Sequence, residues 1–131
     1  MKKYIHIALK VAFSIILVLP ILGVIGVFPP ATADLYSNAQ AFAFIDMLAR
    51  TQYIMIMLAV AHVLALICLW TKREALAALL VLPIALNVVG FHLVLDGGLL
   101  TAGAMLGNVF LAINLYLLYK NRAVYKSLLK P

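Results

Sequence analysis

Residues 51–95 read TQYIMIMLAVAHVLALICLW TKRE ALAALLVLPIALNVVGFHLVL, two apolar runs joined by the polar break Thr71-Lys72-Arg73-Glu74. A helix needs about 20 apolar residues to cross about 30 Å of hydrocarbon. Residues 51–70 and 75–95 each meet that length, so the stretch reads as two spans with a short basic turn. Basic turns stay on the cytoplasmic side, and the rest of the chain repeats the pattern. Nine of the ten Lys and Arg residues fall in three clusters: Lys2, Lys3 and Lys10; Lys72 and Arg73; and Lys120, Arg122, Lys126 and Lys130. Each gap between clusters is long enough to cross a membrane twice. Near the middle of the gaps lie Arg50, Asp34, Asp46 and Asp96. That alternation predicts four spans with both termini cytoplasmic.

Composition agrees. The chain of 131 residues is 67% hydrophobic and 11% charged, with a mean hydropathy of +1.16, far from the soluble globular range. The net charge of +6 punctuates apolar runs instead of forming one wet basic face. Anionic headgroups account for it better than nucleic acid does. One cysteine, Cys68, excludes an intramolecular disulfide, a CxxC redox centre and a Cys-rich metal site.

The first span is expected at about 4–28. Its basic start, apolar run and Ala31-Thr32-Ala33 before Asp34 imitate a cleavable signal peptide. The run from Val11 to Phe28 is longer than a usual signal core, and Pro29-Pro30 crowds the scissile bond, so a retained helix is expected. Ser37 and Gln40 have the spacing of a capping box. The following segment is amphipathic: Ala41, Phe44, Ile45 and Leu48 form one stripe, and Asp46 and Arg50 mark the other. It is expected to lie at the outer interface. The fourth span is expected at about 99–119, followed by a basic cytoplasmic tail, 120–131. In that tail Val124, Tyr125 and Leu128 are available to the inner leaflet. The predicted fold is therefore all-α: a single four-helix transmembrane bundle with an interfacial amphipathic segment between helices 1 and 2.

Polar side chains inside apolar spans are the informative exceptions, because an unsatisfied one costs several kcal/mol in lipid. Counted along alternating helix directions, His62, Asn87 and Asn108 share the midplane, with His92 and Asp96 further out. Two roles are open to His62: a proton relay or quinone-carbonyl ligand, or a buried clamp between helices, typically worth about 0.6 kcal/mol. His92 and Asp96 are i,i+4 and can meet on one face. Arg50, on the same side, could compete for Asp96 as an outer-surface polar pair. Two such ligands do not make a metal site, and none is expected. Gly103 and Gly107 form a GxxxG pair with Asn114 on the same stripe, a face suited to close helix packing. Pro20 and Pro83 free the carbonyls of Ile16 and Leu79. The chain has no GxSxG, P-loop or HExxH motif.

The stretch Leu82-Pro83-Ile84-Ala85-Leu86-Asn87-Val88-Val89-Gly90-Phe91-His92-Leu93 resembles the third helix of the DoxX-like family of small four-helix membrane proteins. The ending Asn114-Leu115-Tyr116-Leu117-Leu118-Tyr119-Lys120, with Tyr125 and Leu128-Leu129, resembles the same family. The Phe-His pair after an asparagine, followed by Asp-Gly, is the most specific element. Residues 40–129 carry the resemblance; the first span shares only position and hydropathy. Members often have a Gly-rich end of the first helix followed by Lys, and a Glu in the second helix. Here Gly23 and Gly26 precede Phe28-Pro29, and His62 or a neighbour stands at that Glu.

The resemblance implies a bacterial-type inner membrane and an association with membrane redox complexes, among them a quinone-linked thiosulfate oxidoreductase. The expected function is an accessory subunit without catalytic residues of its own. It would present a mid-membrane pocket, lined by His62, Asn87 and Asn108 with His92 above, to quinone or another lipid-soluble molecule. No intrinsic cofactor is expected. The expected partners are the bilayer and a redox protein or a second copy. The alternative is a non-catalytic scaffold or lipid-binding protein that packs on a partner helix through the GxxxG face.

Overall fold

The computed structural model describes residues 2–128. Its elements are α1 (Lys2–Val24), a single 3-10 turn (Ala33–Leu35), α2 (Ala39–Thr51), α3 (Tyr53–Trp70), α4 (Glu74–Val94), α5 (Ala102–Lys120) and α6 (Arg122–Leu128). Four of them, α1, α3, α4 and α5, are long and apolar enough to cross a membrane. The chain is a multi-pass membrane protein with a four-helix bundle. Residues 129–131, the end of the expected tail, lie outside the described residues.

The helix ends follow from local chemistry. The expected first span reaches Phe28, but α1 stops at Val24. Gly26 has φ +79° and closes a Schellman-type end, with Gly26 N donating to Gly23 O and Val27 N to Leu22 O. The capping residue of α2 is Asn38, one after the expected Ser37; its side chain accepts from Gln40 N and Ala41 N. α2 and α3 are nearly continuous, separated only at Gln52, whose φ of +61° re-aims the chain. Thr101 accepts from Ala104 N and sets the start of α5 at Ala102, three residues after the expected one.

Packing runs α1 on α3, α3 on α4 and α4 on α5, with α1 touching α5 to close the bundle. The core takes Phe13 and Leu17 from α1, Ala65, Cys68 and Leu69 from α3, Ala77, Ala78, Val81 and Ala85 from α4, and Phe110, Ile113 and Leu117 from α5. The alanines let backbones approach, which is how helices gain contact where lipid removes the hydrophobic drive. Large exposed apolar residues such as Ile15, Val60, Leu86 and Leu115 cover the outside, as a lipid-facing surface requires. α2 lies apart, against α3 and the 3-10 turn. Its Phe44 stacks on Phe91 of α4 with centroids 5.8 Å apart, and Tyr36 meets the same ring edge-on at 6.2 Å.

Candidate functional site

The polar residues of the spans separate into four groups, and only one remains open to a ligand.

The first group closes the end of the bundle opposite the basic clusters. Asp96 is 2% exposed. It accepts from Ser37 N at 2.8 Å and from His92 Nδ1 at 2.8 Å. Asn38 donates to Leu95 O. The loop before α2 is thereby hooked onto the end of α4. Burial, then the charge of Asp96, raises the Tyr36 phenol above its usual pKa. Arg50 does not pair with Asp96: its Nε donates to Asp46 at 2.8 Å, one helical turn away. Asp96 is already satisfied, and an i,i+4 partner costs less chain ordering.

The second group fills the seam between α4 and α5. A Cβ on Gly103 would stand 2.9 Å from His92 Cε1, and one on Gly107 would stand 2.9 Å from Val88 Cγ1. The GxxxG face therefore receives α4 of the same chain. This is the close helix packing expected of the stripe; the alternative, a surface for a partner helix, is already occupied, because the short α4–α5 connection brings a neighbour to it first. Asn114, fully buried, extends the seam. In the amide orientation that satisfies both atoms, it donates to Ala78 O at 3.0 Å and accepts from Leu82 N at 3.1 Å. It thus clamps α4 one residue before Pro83, beside the carbonyl of Leu79 that the proline leaves free.

The third group was not anticipated from the sequence. Glu74, the only glutamate, sits at the basic end with its side chain 17% exposed. Lys10 Nζ donates to it at 3.0 Å and Lys120 Nζ at 3.2 Å, and His6 Nε2 stands 3.1 Å away. Three helices, α1, α4 and α5, meet on one carboxylate. In sequence, Glu74 looks like the end of a basic turn, since its partners lie 46 to 68 positions away.

His62, Asn87 and Asn108, expected at one depth, do not share a pocket. His62 is 2% exposed; its Nδ1 donates to Leu58 O of its own helix at 2.6 Å, and its ring stacks on Phe110. Asn108 Nδ2 donates to Leu99 O at 2.7 Å. His92 is committed to Asp96. Asn87 is different. It is exposed on α4, makes no hydrogen bond among the described residues, and lines a cleft of about 300 Å³. Phe44 and Leu48 of α2 roof this cleft, Ile54 and Leu58 of α3 form one wall, and Pro83, Ile84, Asn87 and Val88 of α4 form the other. The polar atoms facing it from side chains are those of the Asn87 amide alone. His62, His92 and Asn108 are not among its lining residues: His62 faces Phe110 of α5, His92 is held by Asp96, and Asn108 of α5 turns back to Leu99 O. Among the described residues, no three His, Cys, Asp or Glu side chains converge on a metal-sized site.

Comparison of the chain with known protein families, curated proteins and solved structures finds no match in any of the three.

Proposed function

We propose that the chain is a DoxX-like accessory subunit of a membrane redox complex that holds a quinone or similar lipid-soluble carbonyl compound in the α2–α3–α4 cleft. One observation carries the reading: the unpartnered Asn87 amide faces an apolar cleft at membrane depth. Asn87 lies 13 residues into α4, about 20 Å along the axis, beyond the reach of headgroup water from the basic end. An amide left without a partner there is costly. A carbonyl oxygen that accepts from Asn87 Nδ2 removes the cost, and the apolar walls suit a ring and its prenyl tail. Pockets of this kind orient a ligand with one or two polar groups. Electron transfer would take place on the partner, and both termini would lie in the cytoplasm.

The test is ligand retention. Protein purified in mild detergent should carry an extractable, ultraviolet-absorbing lipid, and Asn87→Leu should lose it while remaining folded. His62→Leu should keep it, since that ring faces Phe110. No retained quinone across several lipid conditions, or equal retention by Asn87→Leu, would sink the proposal.

A further inference from the structure

A second cleft, of about 350 Å³, opens at the basic end between the α3–α4 turn and α6. It has two chemistries. Lys72 and Arg73 stand at its rim, both exposed and without a carboxylate partner among the described residues. Its walls are apolar: Leu76 and Leu79 on the lipid flank of α4, and Val124 on α6, all substantially exposed. Tyr125 holds the cleft in shape, its hydroxyl donating to Ala75 O at 2.8 Å. Glu74 also borders the space, but His6, Lys10 and Lys120 hold its two oxygens, so it does not neutralise the rim.

We propose that this cleft binds one anionic phospholipid, its phosphate between Lys72 and Arg73 and an acyl chain along Leu76 and Leu79. Charge complementarity selects the headgroup, and the continuous apolar flank selects a lipid over a free anion. Basic pockets between spans at a membrane surface have this preference. A soluble phosphate would make the polar contacts and leave the apolar wall unused.

Trp70 is the single tryptophan, but its ring faces α1, with Nε1 donating to Ser14 Oγ and Lys10 lying over the ring. The fluorescent reporter is therefore moved to the cleft wall by Val124→Trp in a Trp70→Phe chain. The full chain is reconstituted in phosphatidylcholine nanodiscs containing a minor fraction of brominated phosphatidylglycerol or brominated phosphatidylcholine. Quenching of the cleft reporter should show at least about fivefold enrichment of the anionic lipid, the contribution of one cation near the surface. The double variant Lys72→Gln/Arg73→Gln should abolish the enrichment. Lys3→Gln/Lys126→Gln, which removes the same charge from the same end outside the cleft, should retain it. Equal quenching by the two lipids overturns the proposal, as does equal loss in both double variants. Inorganic phosphate at constant ionic strength should not restore the reporter's emission; displacement by phosphate would assign the rim to a soluble anion and overturn the lipid as occupant.

Discussion

Asn114 and Asn87 are both asparagines of membrane depth, and both lie beside Pro83. Asn114 enters the α4–α5 seam, is fully buried, and has both amide atoms on the α4 backbone. Asn87 faces the α2–α3–α4 cleft, is exposed, and has no partner in the described chain. The seam is closed because Gly103 and Gly107 admit His92 and Val88 to within contact distance. The cleft is open because α2 departs from α3 at Gln52 and roofs the space without filling it. The same residue type is a clamp where two helices touch and is left without a partner in the described chain where three helices stand apart. Polarity inside a membrane does not by itself mark a site; an unanswered polar group does.

Three substitutions sharpen that contrast. The largest effect is expected from Gly107→Leu, which drives a side chain into Val88 and should cost about 3 kcal/mol. Its unfolding midpoint in detergent should fall well below that of the parent chain. Near-parent stability would mean that the seam is looser than described. Asn114→Leu conserves volume, leaves Ala78 O and Leu82 N to each other, and should cost about 1 kcal/mol, within the range of polar contacts between membrane helices. Steric trapping or denaturant titration measures it, and a cost above the Gly107→Leu value would reverse the ranking. Asn87→Leu should not destabilise the chain and should raise the stability of the ligand-free protein by about 0.5 kcal/mol, because no contact within the chain is lost and an unpaired amide is removed. A large destabilisation would show that Asn87 is a clamp like Asn114.

Much of the fold was legible in the sequence, and the reason is physical. Charge clusters and apolar lengths respond to the bilayer, a solvent common to the whole chain, so they give span number, alternation and depth. Azimuth is different. α3, α4 and α5 are apolar all round and carry almost no amphipathic asymmetry, so nothing local tells which way a polar residue points. Depth alone gathered His62, Asn87 and Asn108 at one level. Their directions then parted them: His62 toward Phe110, Asn87 to the cleft, Asn108 back to Leu99 O.

The helix ends show the same division. Gly26 was readable as a stop only once its positive φ was known, and Gln52, a residue with no turn preference, gave no warning of the break it makes. The ion cluster on Glu74 was hidden because its partners come from the far ends of the chain, whereas His92 and Asp96, spaced i,i+4, were visible as a pair.

The central claim is that the Asn87 cleft, and not the midplane around His62, receives a lipid-soluble carbonyl compound. A photoreactive quinone analogue cross-linked to the full chain in nanodiscs and mapped by peptide mass spectrometry tests this most directly. Adducts are expected only within 44–58 and 83–88, reduced severalfold by Asn87→Leu and by competing unlabelled quinone. Adducts along α5 around Phe110, or spread evenly over the lipid-facing helices and insensitive to competition, would contradict the claim.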